Sequence, residues 1–153
     1  MSFKPVKVEL PSLVQHIKGY VKRRAVRCGK SVVLESTERS FALHADRVLL
    51  EFLLESLCDG MLAYGGDGVL RLDAKAEDGF VCVEMTDTRH HMSVKDLSAM
   101  FVPGESDAVE LEFLVAKEII RMHEEYMNCR GCRMEIRDGE DGTVLLFTLP
   151  LYR

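Results

Sequence analysis

Residues 69–87 read VLRLDAKAEDGFVCVEMTD. Leu70, Leu72 and Ala74 alternate with Arg71, Asp73 and Lys75, the period of a strand with one buried and one wet face. Glu77-Asp78-Gly79 is a turn signal, and residues 80–86 form a second strand with Val81, Val83 and Met85 on one face, ending at Asp87. Two neighbouring antiparallel strands are predicted, and the rest of the chain must cover their apolar face.

Upstream, residues 4–10 alternate weakly and stop at Pro11. Leu13, Val14, Ile17, Tyr20, Val21 and Ala25 then recur mostly at three and four, the mark of an amphipathic helix that ends near Gly29. Residues 31–35 and 41–44 are short β-type runs around the polar turn Ser36-Thr37-Glu38-Arg39, which predicts a hairpin. Asp46 is placed as the N-cap of a long helix with apolar side chains at Val48, Leu49, Phe52, Leu53, Leu57 and Met61, stopped by Gly65-Gly66. Downstream, Ser93 caps a short helix through Met100, residues 102–107 are loop, and residues 108–122 form a third long helix. Met134 and Ile136 alternate with Arg133, Glu135 and Arg137, and after a turn at 138–142 a buried strand over 144–149 closes the chain. One-faced helices with roughly six strands pack most simply as an α/β two-layer sandwich, with helices on one face of a mixed, mostly antiparallel sheet.

The 153 residues suit one domain over 1–153, with 47% hydrophobic and 29% charged residues. A formal charge of −5 excludes nucleic-acid binding through bulk charge. The apolar runs fall far short of the roughly 20 residues that span a bilayer, so no membrane crossing is expected in this segment. The start MSFKPVKVEL lacks the apolar core of a secretory signal, and an odd set of five Cys argues against a disulfide framework. A reducing cytoplasm is the expected location.

Several strings, in order, resemble the ATP-binding domain of sensor histidine kinases, part of the GHKL ATPase superfamily that includes DNA gyrase and a mismatch-repair ATPase. They begin with Lys4-Pro5-Val6 before a helix. Asp46-Arg47-Val48-Leu49 resembles the entry to the family's Asn-bearing helix, and Val83-Glu84-Met85-Thr86-Asp87 the strand that ends in the adenine-reading Asp. Met100-Phe101-Val102-Pro103 resembles the Phe-x-Pro exit of the short helix. Lys117-Glu118-Ile119-Ile120 with His123 resembles the helix after the ATP lid. Gly142-Thr143 with Phe147-Thr148-Leu149-Pro150 resembles the closing hairpin.

The resemblance implies a Mg-ATP site with four parts: a metal ligand on the long helix, a carboxylate for adenine, glycines beside the base, and a Gly-rich lid whose amides hold phosphates. Glu55 and Asp59, four apart on one helix face, fall where relatives have a catalytic Glu and a metal-binding Asn, and Asp is a competent Mg ligand. The resemblance thus makes Glu55 catalytic, Asp59 the Mg ligand, and Asp59, Asp87 and Thr143 nucleotide-binding. Read without it, Glu51, Glu55 and Asp59 are a solvated acidic stripe.

The glycines are missing. The family's Asp-x-Gly-x-Gly reads Asp87-Thr88-Arg89-His90-His91, which on its own is an exposed polar loop. Arg89 and His91 add bulk where backbone should approach the base. The lid Gly-x-Gly aligns with Glu110-Leu111-Glu112, and Glu124-Glu125 replace a Gly-Gly. Two like charges about 4 Å apart at an effective dielectric near 20 repel by about 4 kcal/mol, so carboxylates are poor hosts for phosphates. His123-Glu124 superficially matches a phosphoacceptor pair, but no Pro follows and it sits on the wrong helix, so His123 reads as structural.

Cys129-x-x-Cys132 supplies half of a zinc set, with Cys28, Cys58, Cys82 and the five His unplaced. Lys18, Lys22, Arg23, Arg24, Arg27 and Lys30 give the first helix a basic side, either solvated or a dock for an acidic or phosphorylated partner. The expectation is a degenerate histidine-kinase-type domain with a regulatory or protein-binding role in two-component signalling, not an enzyme as an isolated chain. ATP and Mg would bind weakly or not at all. Its partners would be proteins of such a system, with no nucleic acid. The alternatives are a working Mg-ATP domain of a sensor kinase and an anti-sigma-type protein kinase.

Overall fold

A computed structural model describes residues 2–37, 40–62, 66–89 and 109–152, the side chains of the last stretch from Phe113 onward. The order is β1 (Pro5–Glu9), α1 (Leu10–Arg27), β2 (Val32–Ser36), β3 (Ala42–Asp46), α2 (Arg47–Leu62), β4 (Gly68–Glu77), β5 (Phe80–Asp87), α3 (Val109–Tyr126), β6 (Met134–Gly139) and β7 (Gly142–Pro150). The short helix expected over 93–100, the loop over 102–107 and His90-His91 lie outside the described residues.

The alternation over residues 70–75 is the centre of the fold. β4 and β5 pair antiparallel from Leu70 opposite Asp87 to Glu77 opposite Phe80. They sit inside a five-stranded sheet ordered β2-β4-β5-β7-β6, in which β2 runs parallel to β4 and the other neighbours are antiparallel. The sheet is therefore mixed, and α1, α2 and α3 lie side by side over one face, α1 against β2 and α3 against β7. Leu34, Leu70, Leu72, Val83, Met85, Leu145 and Phe147 from the strands meet Ile17, Leu53, Leu57, Phe113 and Ile120 from the helices in one core. The α/β two-layer sandwich is the observed architecture.

The hairpin expected at 31–44 does not form. β2 leaves for the five-stranded sheet, aligning Leu34 with Leu70, while β3 pairs antiparallel with β1 in a separate two-stranded sheet. The physical reason is burial: Val32 and Leu34 reach the core only beside β4, whereas β3 places Leu43 and Ala45 beneath α1 and α2 through β1. The β1–β3 pair also closes the start of α1. Leu10 N donates to Phe41 O at 2.9 Å in place of a side-chain cap, which Glu9 does not provide.

Asp46 caps α2 as its sequence position implies, accepting from Leu49 N at 3.1 Å. Behind it stands His123 of α3, fully buried. Its Nδ1–H donates to Ile119 O at 2.8 Å, which leaves Nε2 to accept from Asp46 N at 3.0 Å. This bond ties the start of α2 to the last turn of α3. Burial lowers the imidazole pKa from 6.5, so the ring is neutral in the fold. The unfolded chain then binds the extra proton below about pH 6.5, and stability falls as pH drops through that value toward the folded pKa. We expect this slope in urea midpoints measured from pH 7.5 to 5, and a shallower one in His123→Gln. That variant also loses about 1–3 kcal/mol at neutral pH if the Asp46 N–H is left unpaired.

Candidate functional site

The end of β5 is built around a buried ion pair. Asp87 and Arg89 each keep only 1% of their side-chain surface exposed. The guanidinium grips the carboxylate with both prongs of its fork, Nε to Oδ1 and Nη2 to Oδ2, each at 2.8 Å. Its remaining reach goes to the last turn of α2 and the connection after it: Nη2 donates to Met61 O at 2.5 Å and Nη1 to Gly66 O at 3.0 Å. The backbone N of Arg89 adds a third bond to Asp87 Oδ1, at 3.0 Å. Of the exposed polar loop expected at 87–91, the described residues 87–89 are a plug folded back on the strand end, because the fork of Arg89 satisfies a carboxylate that burial would otherwise penalise.

Glycines make room for this plug. Gly68 opens β4 at φ +146°, and a Cβ there would stand 2.8 Å from Arg89 Cγ, so the position needs glycine both for its backbone and for its bareness. Thr143 is buried directly across from Asp87 in the β5–β7 register. The fold therefore brings Asp87 and Thr143 together, with Arg89 closing over the carboxylate.

Glu55 and Asp59 are brought together too, but on the flank of α2 that meets α1. Asp59 accepts from the Tyr20 hydroxyl at 2.9 Å and from Arg24 Nε at 2.9 Å. The Asp59 charge raises the Arg24 pKa; burial, then the bond to Asp59, raises that of Tyr20, so the phenol stays protonated. Glu55 contacts His16 Nε2 at 2.8 Å, with Glu51 at 3.3 Å from the same atom. The acidic stripe is thus an interhelical seam, not a free solvated face, and it takes up Arg24 from the basic side of α1.

The flank of α2 that meets α3 and Arg89 is carried by Gly60 and Met61. One step along a helix of 3.6 residues per turn swings a side chain by about 100°. Where a side chain from α2 would enter, Gly60 has none, and Phe113 of α3 fills the space: a Cβ on Gly60 would lie 2.7 Å from the tip of its ring. Sequence reasoning missed this pair. The signal was present in a lone Gly inside a strongly helical run, which marks a close approach.

Other candidates carry less chemistry. Glu110 and Glu112 lie in the first turn of α3, and their side chains are outside the described residues. Glu124 holds the loop after α3 by accepting from Gly131 N at 3.2 Å, and Glu125 pairs with Arg121. Burial, and then the neighbouring Cys129, push the Cys132 thiol up to about 12, the opposite of an activated thiolate. Among the described residues no group of three or more His, Cys, Asp or Glu is placed to hold a metal ion. No described helix is long and apolar enough to cross a membrane.

A mixed five-stranded sheet covered on one face by three helices is the fold of the catalytic domains of histidine kinases. The catalytic domain of the histidine kinase ThkA, in a nucleotide-free form, matches 98% of this chain and 96% of its own, at 16% identity and a TM-score of 0.75. The Acinetobacter baumannii histidine kinase AdeS matches all of this chain and 70% of its own, at 14% identity and a TM-score of 0.74. Full-length ShkA in complex with AMPPNP matches 99% of this chain over 32% of its own length, at 17% identity and a TM-score of 0.78. No family model and no curated protein sequence matches the chain.

Proposed function

We propose that this chain is a histidine-kinase-type ATPase domain whose nucleotide site is closed by its own side chains, and that it serves as a regulatory, protein-binding part of a cytoplasmic two-component system. One observation carries the reading: the carboxylate at the end of β5, which in such a fold would accept the amino group of adenine, already has both oxygens engaged by Arg89. A purine would have to separate a buried bidentate ion pair to reach it, and a buried pair resists the loss of one partner by about 3–5 kcal/mol. The absence of a side chain at Gly60, the ring of Phe113 in that space and the engagement of Asp59 by α1 all support the same reading.

Melting temperature followed while Mg-ATP is titrated into the full chain tests this. No shift is expected up to millimolar nucleotide, with or without Mg; a rise of several degrees that disappears in Asp87→Ala would overturn it. Asp59→Ala is expected to lower stability by about 1–2 kcal/mol through the lost Tyr20 and Arg24 bonds, by the same amount whether or not Mg is present. A Mg-dependent loss would instead mark Asp59 as a metal ligand.

A further inference from the structure

A groove of about 700 Å3 runs between α1 and the outer edge of the five-stranded sheet, lined among others by Lys18, Lys22, Val26, Val32, Val33 and Leu34. It continues past Lys18 along the first turns of α1 to Pro11 and Ser40. Its long wall is the edge strand of the five-stranded sheet, β2. Among the described residues β2 pairs with β4 alone, and Gly68 N donates to Ser31 O while Thr37 N donates to Leu72 O. Residues of a parallel ladder alternate in facing the partner, so 33 and 35 also turn their backbone groups to β4. The N–H and C=O groups of Val32 and Leu34 therefore point away from the sheet, into the groove. These residues keep 6% and 5% of their surface exposed, so their backbone groups sit in a largely desolvated place with no strand beyond them among the described residues.

The charge of the groove says what could pair there. Lys18 and Lys22 stand exposed one turn apart on the α1 wall, and Lys30 lies at the far end, bonded to Leu62 O. The carboxylate in the lining, Asp67, is already accepting from Ser31 N at 2.7 Å. Beside this cationic wall Val26 and Val33 are 74% and 58% exposed, apolar surface that a strand laid along β2 would cover.

We propose that this edge receives an extended acidic segment of a partner protein as a sixth strand. Its backbone pairs with Val32 and Leu34, its carboxylates meet Lys18 and Lys22, and its intervening apolar side chains lie against Val33. Main-chain pairing gives such a mode its affinity, and the alternating side chains give it selectivity. The site supplies a surface for the protein-binding role proposed above and so rests on that reading, yet neither Asp87 nor Arg89 is in its lining, and its test contains no nucleotide, so the two readings fail separately.

The probe is a fluorescein-labelled peptide of alternating Glu and Val, titrated with the full chain and followed by anisotropy. Saturable binding is expected, weakened about tenfold or more in Lys18→Glu/Lys22→Glu and by a rise to about 0.5 M salt. Both lysines are exposed, and circular dichroism checks that the variant is folded. Peptides N-methylated at every second residue, in either register, test the strand itself: the register that blocks pairing with β2 is expected to abolish binding. The proposal is overturned if the Glu-Val peptide does not bind, if a Lys-Val peptide binds as well, or if both N-methylated peptides bind undiminished. A wild-type dimer in sedimentation equilibrium that the lysine substitutions dissociate would assign the edge to a second copy of the chain, and would overturn it too.

Discussion

Arg89→Ala is expected to destabilise the protein by about 3–5 kcal/mol in urea unfolding, a large fraction of the stability of a domain of this size. The substitution strips the guanidinium from a carboxylate that is 99% buried by side-chain surface, and it releases the Met61 and Gly66 carbonyls that tie the α2–β4 connection to β5. Because the loss is that of one partner from a buried pair, Asp87→Ala/Arg89→Ala should cost clearly less than the sum of the single changes. The same cycle reports on ligand chemistry. Adenosine, which needs no cradle for phosphates, is expected to recover part of the melting temperature of Arg89→Ala and to leave the wild type unmoved. A loss below about 1 kcal/mol in the single variant, or an equal response of both proteins to adenosine, would show that the guanidinium is not the occupant of this place.

What could be read from the sequence alone divides along the line between local and tertiary causes. The β4–β5 pair was legible because a period of two and the turn Glu77-Asp78-Gly79 are local, and both strands formed within a residue or two of their expected limits. The cap at Asp46 was legible for the same reason. The partners of β2 and β3 were not, since a polar turn between two short β-type runs resembles a hairpin whichever sheet finally buries Leu34 and Leu43. Arg89 was recognised as bulk standing where glycine would let backbone approach a base. That its fork turns back on Asp87, two residues earlier, depends on Gly68 having no side chain across the sheet. Likewise Glu55 and Asp59 were correctly placed on one face of α2, but nothing within α2 says that this face meets Tyr20, Arg24 and His16. That is a fact about how two amphipathic helices settle side by side.

The contact of Phe113 with Gly60 follows the same logic and supplies the second large effect. Phe113 is 1% exposed and inserts its ring where α2 offers no side chain. Phe113→Ala should therefore cost about 3–5 kcal/mol, from lost burial and from a cavity the two helices can only partly close. Gly60→Ala is the informative partner. On an isolated helix it would stabilise by up to about 1 kcal/mol. Here the new methyl would stand 2.7 Å from the ring, so the sign reverses and a loss of about 1–3 kcal/mol is expected. If the two residues share one space, Gly60→Ala should become harmless, or even favourable, in the Phe113→Leu background, and the coupling between the two changes will then exceed about 1 kcal/mol. Strict additivity in urea unfolding would mean that the ring does not occupy the space beside Gly60. The closed state of the site would then rest on Arg89 alone.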